Sequence, residues 1–141
     1  MSYRNVHLPE APTGAQLQAA AQDYGAIARS MMDAIVERSE GAPDYPFVET
    51  KLDLITGRNF PERDPIRGRG AIYGWIQGRG LEALAGHARW WERRGEAAEL
   101  VQRIRAVTTT VLAQLRVMRQ RNDGRLSFFM TPEGEPFSLD D

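Results

Sequence analysis

Between Leu100 and Met118 an apolar residue returns every three or four positions: Leu100, Ile104, Val107, Val111, Leu115 and Met118. That spacing puts all six on one stripe of a 3.6-residue helix, opposite Glu99, Arg103 and Arg119. A stripe of this kind must be covered by another element, so the chain is committed to packing helices together. Charge placement predicts a helix from about Glu96 to Arg121. Glu96 and Glu99 lie in its first turn and Arg116, Arg119 and Arg121 in its last, matching the helix dipole, and Asn122-Asp123-Gly124 ends it. Thr108-Thr109-Thr110 is a β-branched run of poor helix propensity that packing must override.

The same periodicity marks an earlier segment. Leu17, Ala20, Tyr24, Ile27, Met31 and Ile35 fall on one face of a helix expected from about Ala15 to Ser39, and that face is expected to be the buried one. Thr13 with Gln16 fits a capping box. Gly41 offers a left-handed stop, and Pro43 cannot continue the helix.

Between these two, a third helix is expected from about Ile72 to Arg93. Its buried candidates include Ile72, Trp75, Ile76, Leu84, His87, Ala88 and Trp91. Gly74, Gly78, Gly80 and Gly86 interrupt it, and each costs roughly 1 kcal/mol relative to alanine in a helix interior. Gly78 and Gly80 are therefore expected where another backbone or a ligand approaches closely.

Residues 43–65 read as a long loop, with Phe47 to Leu54 strand-like and turn signals at Thr56-Gly57-Arg58-Asn59 and Phe60-Pro61. Loops of this length are disproportionately functional. Arg67-Gly68-Arg69-Gly70 reads as a solvated, flexible approach to the next helix rather than an RNA-binding box. After Gly124, Leu126 to Met130, the turn Thr131 to Glu135, and Pro136-Phe137 read as a terminal hairpin. The expected order is helix, long loop, helix, helix, hairpin, in a single mainly α domain.

Eighteen basic residues face nineteen acidic ones for a net charge of −1, so no long-range attraction to nucleic acid or an anionic membrane is expected. All basic residues except Lys51 are arginine, a bias that, with the charges balanced, reads as codon preference rather than phosphate recognition. The chain has no cysteine, which excludes disulfides, thiolate metal sites and cysteine nucleophiles. Met1 to Gly14 has no apolar signal-peptide core, so a cytoplasmic location is expected. No metal ligand set and no cofactor-binding motif stands out, and none is expected.

Two stretches carry a resemblance. Trp75-Ile76-Gln77-Gly78-Arg79 resembles the W-x-Q-G-R segment at the start of an early helix in the N-acylglucosamine 2-epimerase family. Asn122 to Pro136, reading NDGRLSFFMTPEGEP, resembles the same family's later hairpin. The resemblance implies that residues 1–141 are the N-terminal portion of an (α/α)6 barrel whose central cleft binds a sugar. It further implies proton transfer at C2 of a monosaccharide or N-acylated hexosamine, with histidines as base and acid. Arg79 matches the family arginine that contacts sugar oxygens, and Gln77 and Trp75 would assist as substrate-binding residues by hydrogen bonding and ring stacking.

Each of these residues has a plainer reading. Arg79 can pair with Glu82 one turn on; Trp75, Trp90 and Trp91 can be core; His87 can be a packed or capping histidine. Twelve helices with short connections require on the order of 200 residues. Three helices are therefore expected to be inactive alone, with no catalytic residue among them, the acid and base lying on later helices. Two other classes stay open. A non-catalytic helical interaction module would self-associate through uncovered apolar faces. A glycoside hydrolase-like (α/α)6 protein would need a carboxylate pair among Glu49, Asp53, Glu62 and Asp64.

Overall fold

A computed structural model describes residues 9–49 and 51–136. Its elements are α1 (Gly14–Glu40), β1 (Ile72–Tyr73), α2 (Gly74–Arg94), α3 (Ala98–Arg121) and β2 (Phe129–Met130). The chain is mainly helical, with one small two-stranded sheet. The expectations for His7, Thr50 and Phe137 lie outside the described residues.

The central element is α3, against which both other helices pack. Its predicted stripe is buried in full, and Ile104 and Met118 are wholly inaccessible. Thr108 fits this helix because its hydroxyl donates to Ile104 O at 2.7 Å. The helix starts later than the charges suggest. Gly95 (φ 66°) and Ala97 (φ 52°) both adopt left-handed backbone and turn the chain tightly from α2 into α3. Glu96 therefore lies ahead of α3 and pairs with Arg94 at 3.0 Å.

The start of α1 is as expected: Gln16 N–H donates to Thr13 Oγ1 at 3.3 Å and Thr13 N–H to Gln16 Oε1 at 2.9 Å. Its end differs, since Gly41 stays right-handed at φ −72° and donates to Glu37 O. The buried face is a larger correction. Ala28, Met32 and Val36 are buried, whereas Leu17, Tyr24 and Met31 are 49%, 67% and 57% exposed. Ile35 is packed against the core from its margin. The covered line lies roughly a quarter-turn around the helix from the predicted one. The covered side carries small residues near Trp90: a β-carbon at Gly25 would lie 3.6 Å from Trp90 Cη2, in ordinary contact, and Ala28 lines the same cleft as Trp90.

Ile72 and Tyr73 form β1 rather than the first turn of α2. They pair antiparallel with β2, Ile72 opposite Met130 and Tyr73 opposite Phe129. The expected terminal hairpin survives as a tight turn, in which Thr131 N–H donates to Glu135 O at 2.8 Å and one bridge joins Met130 to Pro136. Its strand, however, takes its main partner from the chain just before α2. Gly74 sits at that junction, and a β-carbon there would fall 2.4 Å from Ser127 O.

The long segment between α1 and β1 packs onto the core through Phe47 and Val48. Only Leu52 and Asn59 form a strand-like bridge in it. Phe47 and Val48 are buried, and Gly68 is enclosed by Pro61, Glu62 and Asp64 carbonyls that leave no space for a side chain. Arg67 stays largely in solvent, as expected, while Arg69 is partly buried, and both form ion pairs. Arg67 pairs with Asp64 at 2.8 Å over the Phe60 ring, and Arg69 pairs with Glu49 at 2.8 Å over the Tyr45 ring. Among the described residues no helix is long and apolar enough to cross a membrane.

Candidate functional site at the start of α2

The three residues expected to contact a ligand are divided by the fold. Gln77 faces inward, 3% exposed, where Oε1 accepts Val48 N–H at 2.7 Å and Nε2 donates to Val48 O at 3.2 Å. Both ends of its amide are spent on the backbone, so its place is in the scaffold rather than on a ligand. Gly80, one turn further, brings α2 against the same residue: a β-carbon there would lie 3.0 Å from both Val48 methyls. Gly78 faces open space, contrary to the expectation of close approach, and so does Gly86.

Trp75 and Arg79 face outward. Trp75 is 50% exposed, not core, and its ring lies parallel to that of Phe128, with centroids 6.3 Å apart and planes 12° from one another. Tyr73 meets Phe128 edge-on at 6.4 Å. Together these rings make an exposed aromatic platform where β1, β2 and α2 meet. Arg79 lies one helical turn beyond Trp75 on the same face. Its guanidinium makes no hydrogen bond or ion pair among the described residues, so the pairing with Glu82 is not formed.

Phe128 was not among the expected site residues. It immediately precedes β2, beside Phe129. Phe129 is buried, whereas Phe128 is 69% exposed.

Behind the platform lies a buried ionic centre that sequence reasoning also missed. The Glu49 carboxylate is 3% exposed, with Arg69 at 2.8 Å and Arg38 at 3.8 Å. Arg38 also donates to Asn59 Oδ1 at 2.6 Å, while its Nε is buried with no hydrogen-bond partner among the described residues. Lys51 donates to the Gly68 and Ala71 carbonyls and lies 5.1 Å from the Tyr73 ring centre. Burial pulls the Lys51 ammonium below the usual lysine range, with Glu49 and Asp64 opposing. Burial likewise pushes the Tyr45 hydroxyl well above the usual phenol range, reinforced by Glu49.

The remaining acids of the long segment serve turns. Asp53 accepts from Ile55 N–H at 2.9 Å and Thr56 N–H at 3.3 Å. Asp64 accepts from Ile66 N–H at 3.1 Å and Arg67 N–H at 2.8 Å. Glu62 is exposed. Asp53 and Asp64 thus hold the backbone of their own turns.

His87 lies on α2 with Nδ1 2.8 Å from Ala83 O. A carbonyl only accepts, so Nδ1 carries the proton. With Tyr24, Ala28, Ala83, Gly86 and Trp90, His87 lines a cleft of about 280 Å³ between α1 and α2. No protein-family model, curated protein or solved structure matches this chain.

Proposed function

We propose that this chain is the carbohydrate-binding N-terminal part of a sugar 2-epimerase, with its three helices belonging to an (α/α)6 barrel. The observation that carries the reading is the Trp75–Phe128 platform with Arg79, unpaired among the described residues, one turn away. A pyranose presents an apolar C–H face and a rim of hydroxyls. An exposed aromatic face accepts the first, and a guanidinium with several N–H donors meets the second. The resemblance of Trp75 to Arg79 to the epimerase motif points the same way, with Gln77 reassigned from ligand to scaffold.

Epimerisation at C2 removes a proton on one face and returns one on the other. Arg79 stays protonated and cannot be the base; its part is to orient the sugar and stabilise the negative charge that forms on oxygen. The base and acid belong to residues elsewhere in the complete enzyme. The alternative of a helical interaction module draws on a different observation, the uncovered stripe of α1.

Titration with N-acetylglucosamine, N-acetylmannosamine, glucose and mannose, followed by indole resonances and tryptophan fluorescence, tests the reading. Affinity on the order of millimolar is expected from one exposed platform. Trp75→Ala and Arg79→Ala should each abolish the response to the sugar that binds. Unchanged titration in both variants, or no response to any sugar, overturns it. In D₂O, this chain is expected to exchange no C2 proton.

A further inference from the structure

The aromatic platform rests on very little sheet. β1 and β2 pair through two residues each, Ile72 with Met130 and Tyr73 with Phe129, and so short a pair of strands is marginal without further support. One support lies at the end of β1, where Gly74 N–H donates to Phe128 O at 3.0 Å. A second lies at its start and comes from Lys51, twenty positions before Ala71.

The only lysine of the sequence spends its ammonium on the entry to β1. Nζ donates to Gly68 O at 2.8 Å and to Ala71 O, the carbonyl immediately ahead of Ile72. Gly68 O also accepts Ala71 N–H at 3.2 Å, so the ammonium closes a turn that is already folded back on itself. Nζ further lies 5.1 Å from the centre of the Tyr73 ring, within the range at which a cation is drawn to an aromatic face. An ammonium suits this position because it is a compact charge with three donors.

Tyr73 carries the contact onward. Its ring packs on Phe129 with centroids 4.7 Å apart and meets Phe128 edge-on at 6.4 Å. Phe128 in turn lies parallel to Trp75 at 6.3 Å. Lys51, Tyr73, Phe128 and Trp75 thus form a continuous series of contacts from the long segment after α1 to the exposed rings. We propose that Lys51 is a positioning residue of the platform: by holding the Gly68 and Ala71 carbonyls together with the Tyr73 ring, it sets how Phe128 stands against Trp75. Its effect on ligand affinity rests on the sugar-binding reading, whereas its effect on ring geometry does not.

Indole NMR signals test the proposal, because the chain has three tryptophans and Trp75 alone of them belongs to the platform. Lys51→Met keeps an unbranched apolar stem and removes the charge and its donors. It should shift the Trp75 signal and leave those of Trp90 and Trp91, packed at the core, in place. Arg58→Met, which removes a positive charge from an exposed position of the same segment, should move none of the three. Tyr73→Leu should also shift Trp75, and Lys51→Met added to it should cause no further shift, since the connection is already cut. A reading that needs no Lys51 variant comes from labelled lysine, which gives a single side-chain signal in this chain. The Tyr73 ring should displace that signal, and Tyr73→Leu should return it toward the free-lysine position. Where a sugar binds the parent protein, Lys51→Met should weaken it roughly three- to tenfold.

An unmoved Trp75 signal, equal movement of all three indoles, a further shift from Lys51→Met on top of Tyr73→Leu, or a lysine signal indifferent to Tyr73 overturns the proposal. So does unchanged sugar affinity in a Lys51→Met protein whose Trp75 signal has moved. If no sugar binds the parent protein, the sugar-binding reading falls, and the indole and lysine signals still decide the role of Lys51.

Discussion

Gln77 holds Val48 by both ends of its side-chain amide, accepting its N–H at 2.7 Å and donating to its carbonyl at 3.2 Å. One side chain thus stands in for a strand partner and ties the long segment after α1 onto α2. Removing it leaves a buried donor and a buried acceptor of the backbone without partners, at about 1–3 kcal/mol each. Gln77→Ala is expected to lower unfolding free energy by about 2–4 kcal/mol, read from urea denaturation. Gln77→Glu should also destabilise, since its carboxylate can accept from Val48 N–H but has no N–H to give back. A loss under about 1 kcal/mol in Gln77→Ala would show that water replaces the clamp.

The glycines of α2 separate into two groups with opposite expected effects. Gly78 faces open space within a helix, so Gly78→Ala should stabilise by about 0.5–1 kcal/mol. Gly74→Ala should destabilise, because its β-carbon would collide with Ser127 O, a backbone atom next to the Phe128 carbonyl that Gly74 N–H bonds. Thermal melts of the two variants should move in opposite directions, and a shared direction would contradict the packing at Gly74.

Glu49 is the carboxylate on which Arg69 and Arg38 converge, and it is nearly inaccessible. Glu49→Ala leaves two guanidiniums around an empty position. Each arginine side chain is still about a quarter exposed, 29% and 26%, so solvent recovers part of the loss. A destabilisation of about 2–3 kcal/mol is expected, below the range for a fully buried pair. Chemical denaturation checks it, and a neutral result would make the cluster electrostatically redundant.

Acid should weaken the fold in a defined window. Backbone hydrogen bonds hold two carboxyls below the ordinary aspartate range: Asp64 through Arg67 N–H, then the Arg67 side chain, and Asp53 through Ile55 N–H, then Thr56. A bond to Arg103 holds Glu40 down likewise. For a depressed carboxyl, the stabilisation is complete above its unfolded pKa and is lost as pH falls through the folded one. Stability should therefore be flat from neutrality down to about pH 5 and decline below about pH 4. Asp64→Asn should flatten that decline, which stability curves against pH would reveal.

Trp75→Ala and Arg79→Ala should leave stability within about 0.5 kcal/mol of the parent, as exposed positions do. Matched melting curves beside lost sugar response would place both residues in binding rather than folding. A large drop in either melt would assign that residue to the scaffold, as the structure already does for Gln77.

Local chemistry written in consecutive residues determined much of this protein. The stripe from Leu100 to Met118, the Thr13–Gln16 capping box and the stop at Asn122-Asp123-Gly124 depend on residues within a turn or two of one another, and each formed where the sequence places it. Tertiary structure decided what local spacing leaves degenerate. The apolar arc of α1 is broad enough to offer two faces, and packing against α3 covered the one that carries Ala28, Met32 and Val36. The Trp75 to Arg79 motif named neighbours in sequence, but on a helix two residues apart point in widely different directions. Gln77 therefore went inward to Val48, while Trp75 and Arg79 stayed on the surface. Phe128 and Glu49 were illegible for a related reason: their partners Trp75, Arg69 and Arg38 lie eleven to fifty-three positions away, and only long-range packing brings them together.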